Sequence, residues 1–191
     1  MALLTASSAK SRDDRLADLD DDAVTAQIAA FTEIAVPYRG VAFEVTTATA
    51  VKVPGQCGRR LLVPNVKLIA LTAASLDGTA LTNDERAEVT IWADEGILER
   101  TAGWSATQVS LTYTHGYASA PAAVLEACTE YVLCVLRARS SGVSRNTLSE
   151  ATEAGTTRYS TPDWAAGRPT GWLEVDRLLN SLPDYRTPGM A

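Results

Sequence analysis

Apolar residues recur at helical spacing early in the chain: Val24, Ile28, Phe31, Ala35 and Tyr38 fall on one face. Asp20, Asp21 and Asp22 precede them, where a helix N-terminus favours a capping oxygen and negative charge. Pro37 bends or ends such a helix, and Gly40 suits the position just past it. The pattern predicts a helix over 21–36. Residues 1–19 are weakly patterned; Leu16 and Leu19 either close a short helix or pack one loop. From 41 to 117 the texture changes to short runs of Val, Thr, Leu and Tyr between turn residues. These read as strands at 43–53 (broken at Pro54-Gly55), 60–63, 66–72, 89–92, 97–100 and 109–113. Asp77-Gly78 is a hairpin signal, and Asp94-Glu95-Gly96 a tight turn. Several short strands with frequent turns indicate an antiparallel β-domain, a sandwich or open barrel.

Pro121 then opens the longest helix, running to Arg139. Val124, Leu125, Cys128, Tyr131, Val132, Leu133, Cys134, Val135 and Leu136 leave only a narrow polar stripe through Glu126, Glu130 and Arg137. A helix apolar on most sides is buried on most sides. One further long helix and one small sheet are little to cover it, which predicts association with other subunits, with Tyr131 and Val135 as candidate contacts. Beyond Ser140-Ser141-Gly142, residues 146–152 and 156–161 pair as a hairpin around Glu153-Ala154-Gly155. Pro162 and Pro169 bracket a loop holding Trp164, and a last helix over 171–181 aligns Trp172, Val175, Leu178, Leu179 and Leu182 before Pro183 stops it. This tail reads as an arm with nothing of its own to pack against, so its deletion is expected to leave a folded protein. The fold class is α+β. A small helical core (two main helices plus a C-terminal helix) at 1–40 and 118–140 carries an inserted antiparallel β-domain at 41–117, followed by a C-terminal hairpin and arm at 141–191.

Composition adds limits. With 191 residues, 46% of them hydrophobic and 21% charged, the chain holds one domain with an insertion and a real core. A net charge of −6 opposes a dominant nucleic-acid-binding role, since phosphate affinity comes mainly from Lys and Arg clusters. Cys57, Cys128 and Cys134 give neither a disulfide framework nor a zinc spacing, and are expected to be buried small hydrophobes in a reducing compartment. The N-terminal apolar run is too short for a signal peptide and no segment is long enough to span a membrane, so the chain is expected to be soluble and made in the cytoplasm.

Candidate chemistry is sparse. His115 is the only histidine, in TYTHGY, and one His cannot form a multi-histidine metal site; it is expected as a hydrogen-bonded loop residue. No nucleophile elbow, P-loop, dinucleotide fingerprint, HExxH or EF-hand pattern occurs. The aspartates at 18–22 read as a solvated helix start rather than a cation site. No catalytic, metal or cofactor-binding residue is expected. Among the four tryptophans, Trp92 is expected in the core and Trp104 as a loop anchor. Trp164 and Trp172 either pack back on their own subunit or anchor a contact with another chain. Tyr113 and Tyr117 read as strand and turn packing.

Three stretches, FTEIAVPYRGVAFEV at 31–45, VSLTYTHGYASAPAAVLEAC at 109–128 and GTTRYSTPDWAAGRPTGWLEVDRLLN at 155–180, resemble the head-to-tail adaptor (connector) proteins of tailed bacteriophages, those of actinobacterial phages above all. They cover about a third of the chain in the family's order, and Pro37 departs from its pattern. The resemblance implies a non-enzymatic virion protein of the neck. Such adaptors form a ring, usually of twelve copies, below the portal, where it prolongs the DNA channel and offers a platform to stopper or tail-terminator proteins. DNA passes through without specific binding, which suits the acidic charge. It further implies that Trp172, Val175, Leu178 and Leu179 dock on the portal. Arg158, Tyr159 and Trp164 in the hairpin and loop are further subunit-contact candidates. Another neck component, a stopper or tail-completion protein, is the nearest alternative; a small enzyme or a nucleic-acid-binding protein is more distant.

Overall fold

The computed structural model describes residues 3–140, 149–152, 155–158 and 169–186, with only the backbone of the two short strands at 149–158. Helices and antiparallel sheets make an α+β fold with two units: residues 1–38 with 122–182, and 39–121 with 183–191.

The first unit is helical. α1 (Ala6–Arg12) is capped by the Thr5 side chain and followed by a 3₁₀ turn over Asp14–Leu16, whose Leu16 is fully buried. Lys10 ties this region to the next helix, donating to the Leu19 carbonyl at 2.6 Å and pairing with Asp21 at 2.5 Å. α2 (Asp21–Arg39) starts where the aspartates predict, with Asp20 accepting from the Ala23 N–H at 2.9 Å. It does not stop at Pro37. The N–H that proline lacks would bond the carbonyl of Glu33, an exposed residue, where water can substitute. Val24, Ile28, Phe31 and Ala35 are all buried, as their spacing requires. α4 (Ala122–Ser140) meets α2 where Phe31 and Tyr131 rings approach to 5.6 Å. Its first half is buried (Val124, Ala127, Cys128, Thr129, Tyr131, Val132, Leu133), whereas Cys134, Val135 and Leu136 are only half-buried. The predicted hairpin exists as β8 (Ser149–Thr152) and β9 (Gly155–Arg158), paired from Ser149–Arg158 to Thr152–Gly155.

The second unit is a small two-sheet β structure. One sheet has the order β1 (Thr46–Gln56), β7 (Trp104–His115), β3 (Leu68–Leu76), β4 (Thr79–Ala80). The other has the order β2 (Arg60–Leu62), β6 (Ile97–Glu99), β5 (Thr90–Trp92). Along β7, Val109, Leu111, Tyr113 and His115 alternate as buried positions, and the first three join Leu61, Val63 and Leu98 in one apolar core. β1 runs through Pro54 because it is an edge strand, where a missing N–H breaks no second ladder. A bulge at Ala50, with φ +52°, bends it. The Asp77-Gly78 turn joins β3 to β4, and Asp77 further accepts from the N–H groups of Gln108 and Thr107 at 2.8 and 3.0 Å. α3 (Asn83–Ala87) escaped sequence reading although Thr82 and Glu85 form a capping box. At the end of β7, Gly116 has φ +102° and a Cβ there would lie 2.2 Å from the Glu44 carbonyl, so only glycine fits.

The tryptophans reverse their expected places. Trp104 opens β7, is fully buried and donates to the Leu98 carbonyl at 3.1 Å. Trp92 is 42% exposed, because the inner face of the second sheet is the Leu61–Leu98–Ile91 row and Trp92 sits in the opposite row.

Candidate functional site

α5 (Leu173–Asn180) is one of two faces to weigh for contact with partners. Thr170 locks the entry to α5. Its N–H and hydroxyl donate to Asp176 Oδ1 at 3.1 and 2.6 Å, and its Oγ1 accepts from the Trp172 N–H at 3.2 Å. Asp176 is buried, and among the described residues nothing donates a hydrogen bond to its other oxygen. Val175 and Leu179 are fully buried and α5 packs on α4. The arm therefore does have something of its own to pack against: its apolar stripe covers part of α4, leaving Cys134, Val135 and Leu136 half-buried. Of the four portal-docking residues named from resemblance, Val175 and Leu179 lie inside the unit, while Trp172 and Leu178 are half-buried. The outward face of α5 carries Leu173, 49% exposed, beside the Glu174–Arg177 ion pair at 3.2 Å.

Tyr131 is buried against Phe31 inside its own unit, and Val135 stays half-open. Tyr159 and Trp164 lie outside the described residues, as does the side chain of Arg158.

A charged cavity of about 360 Å³ lies in the helical unit, lined by Arg12, Asp13, Arg15, Ala122, Glu126, Thr129 and Glu130. Its floor is an ion-pair relay. Arg15 NH2 reaches Asp13 Oδ2 at 2.6 Å and Glu130 Oε2 at 3.2 Å, and the Cys134 thiol donates to Glu130 Oε1 at 3.5 Å. The Arg15 hydrogen bonds hold the Asp13 carboxyl below the usual carboxylate range, and Asp13 in turn raises Arg15. Arg12 and Glu126, both exposed, have neither hydrogen bond nor ion pair among the described residues. Sequence reading missed this site. Its residues come from the end of α1, the 3₁₀ turn that follows and α4, more than a hundred positions apart, and only the polar stripe through Glu126 and Glu130 hinted at it.

The β unit offers a second exposed surface. Leu62, Ile97 and Trp92 form one cross-strand row, with Leu62 and Trp92 each 42% exposed. Arg60 lies over the Trp92 ring at 5.3 Å, and Trp92 donates to Glu99 at 3.0 Å. In the same unit Lys67 pairs with Asp94 at 2.7 Å and lies over the rings of Tyr117 and Tyr185 at 5.4 and 5.5 Å, while the Tyr185 N–H donates to the Arg39 carbonyl at 3.0 Å. Residues 183–186 are thereby fastened to the β unit.

The titratable groups are placed for structure. His115 is the last residue of β7 rather than a loop residue; it is buried, and burial pushes its pKa down from the usual value. The Tyr113 hydroxyl donates to Asn65 at 2.6 Å, and burial raises its pKa to about 12. Burial raises Cys128 to about 12; burial and Glu130 raise Cys134 to about 11, so neither is a thiolate at neutral pH. Cys57 is exposed, contrary to expectation, because the strand that carries the chain to it ends at Gln56. Among the described residues no group of three His, Cys, Asp or Glu side chains could hold a metal ion, and no helix is long and apolar enough to cross a membrane.

No protein-family model and no curated protein matches this sequence. Solved structures do show similarity. A chain in the virion of the native gene transfer agent particle aligns with a TM-score of 0.49 and 14% identity, over 89% of this chain and 81% of that one. Chains in the necks of gene transfer agent particles align likewise. One, from the empty particle computed with C6 symmetry, gives a TM-score of 0.47 and 16% identity over 67% of this chain and 73% of that one. The other, from the native particle computed with C12 symmetry, gives 0.44 and 14% over 80% and 84%. Likeness at this level says nothing of what this chain does.

Proposed function

We propose that this chain is a head-to-tail adaptor: a structural virion protein whose copies form a ring below the portal, extend the DNA channel and receive the stopper or tail-terminator protein. The reading rests on the three adaptor-like stretches and on one structural observation. The helical unit leaves apolar surface open along α4 (Cys134, Val135, Leu136) and on α5 (Leu173). Open apolar surface of that kind suits a protein that works by contact. With Val175 and Leu179 occupied by α4, portal docking falls to the flanks of α5, Trp172 and Leu178. The half-open Val135 is one contact between copies. The net charge of −6 keeps the ring from gripping the DNA that passes through it.

The test is biochemical dissection of particles of the phage that encodes this chain. Heads, necks and tails are separated and each fraction is quantified by mass spectrometry. The chain should appear in the neck, in a fixed ratio to the portal protein. Absence from particles, or recovery only with tails, would overturn the adaptor reading.

A further inference from the structure

The cavity and the outer face of α5 are chemically matched. The cavity has a floor where Arg15 bridges Asp13 and Glu130, and two further charges of opposite sign, Arg12 and Glu126, with no ion pair among the described residues. The outer face of α5 presents one carboxylate and one guanidinium, Glu174 and Arg177, three residues apart and hence one helical turn from each other. Their side chains are 63% and 71% exposed, so the bond between them is a solvated one that is readily exchanged. We propose that the cavity receives the outer face of α5 from a second copy of this chain, with Glu174 meeting Arg12 and Arg177 meeting Glu126.

The occupant is argued from charge complementarity. A simple anion would satisfy Arg12 but would face Asp13, Glu126 and Glu130; a simple cation would be drawn to the carboxylates but would leave Arg12 unmatched and meet Arg15. A partner carrying both signs one turn apart meets both demands, and this chain displays one. A volume of about 360 Å³ admits the ends of two long side chains but not a helix, so α5 lies across the mouth and inserts only its charged tips. Leu173, exposed beside the pair, then covers Ala122 at the rim.

Donor face and receiving cavity are different surfaces, so each copy gives one contact and receives one. Such a heterologous contact closes into a ring when its rotation permits. The inference rests on the ring reading and supplies a contact for it. Being made by charges near solvent, the contact weakens with salt.

The test uses the full chain with Cys57→Ser, which removes the exposed native thiol. Glu126→Cys and Arg177→Cys are made separately; both positions are exposed, so folding is preserved. Mixed under mild oxidation, they should yield a disulfide between position 126 of one chain and 177 of another, identified by peptide mapping and diminished by high salt. Neither variant alone should dimerise. No 126–177 cross-link, or self-dimers of either variant in its place, overturns the proposal. As an independent arm, Glu126→Arg and Arg177→Glu should each weaken association about tenfold by sedimentation, and the double variant should recover it; failure to recover also counts against it. A cross-link in the free chain with no copy found in necks removes the adaptor reading and leaves this one; a neck ring lacking the cross-link does the reverse.

Discussion

Replacing Leu179 by alanine tests whether α5 belongs to the helical unit. Leu179 is fully buried, and α5 packs on α4. A Leu→Ala change at such a site costs about 2–5 kcal/mol, the lower figure if α4 closes onto the gap. Val175, also fully buried one turn earlier, loses two methyl groups on truncation to alanine, or about 1.6 kcal/mol at ~0.8 kcal/mol per buried carbon. Because the two residues share one face, the double variant falls short of the sum if the first cavity already loosens the second site. Leu173→Ala, on the outward face, supplies the control and should stay within about 0.5 kcal/mol. Against a typical domain stability of about 5–15 kcal/mol, the Leu179 effect is easily read in urea unfolding followed by far-ultraviolet dichroism. Amide exchange localises it: α4 from Val124 to Leu133 should lose protection in Leu179→Ala but not in Leu173→Ala. The same logic reverses the expectation that deleting residues 171–191 leaves a folded protein, since a chain ending before Gly171 lacks the helix that packs on α4. If Leu179→Ala and Leu173→Ala cost the same few tenths of a kcal/mol, α5 is not docked on α4 and the free-arm reading returns.

Trp104→Ala should cost about 3–5 kcal/mol and Trp92→Ala under about 1, and acrylamide should quench Trp92 emission while sparing Trp104; equal quenching would contradict their burial. Burial holds the His115 pKa below its unfolded value of 6.5, so between those two values the unfolded chain binds more protons. Stability should therefore fall as pH drops through 6.5 toward the folded pKa, and His115→Gln should flatten that part of the profile in urea titrations. Gly116→Ala places a Cβ 2.2 Å from the Glu44 carbonyl at a φ of +102°, and should destabilise by more than about 1 kcal/mol in thermal or urea unfolding; a neutral result would mean the turn is built differently. Ellman's reagent should modify Cys57 rapidly in the folded protein and Cys128 only on unfolding.

Long periodic segments were legible because a helix writes its burial into one chain segment. α2 and α4 appear within a few residues of their predicted spans, and the Asp77-Gly78 hairpin is where its turn chemistry puts it. Several of the errors share a cause: they needed knowledge of a neighbour distant in sequence. Pro37 and Pro54 were read as stops, yet one sits beside an exposed carbonyl and the other on a sheet edge, where the missing N–H is cheap. Ile91 and Trp92 are adjacent and both apolar, and alternation cannot say which points inward. That choice is made by Leu61 and Leu98 on the paired strands. Trp104 follows Gly103, at φ +78°, and looked like a loop residue because the turn signal hides the strand it feeds.

The same distinction separates what sequence could and could not say about contact surfaces. The stripe on α5 was visible as a stripe, but a stripe states only that something covers it. Here the cover is α4 of the same chain, which moves the candidate contact to the opposite face, where Leu173, Glu174 and Arg177 looked like ordinary solvent-facing residues. The receiving side was harder still. Arg12 and Glu126 are individually unremarked surface charges, and only the fold brings them to one cavity above a floor where Arg15 is already paired with Asp13 and Glu130. On the adaptor reading, the informative residues are therefore polar ones that stay at the surface after the core has claimed the apolar ones. In this chain that criterion selects a cavity with one spare charge of each sign and a helix face that carries the complement.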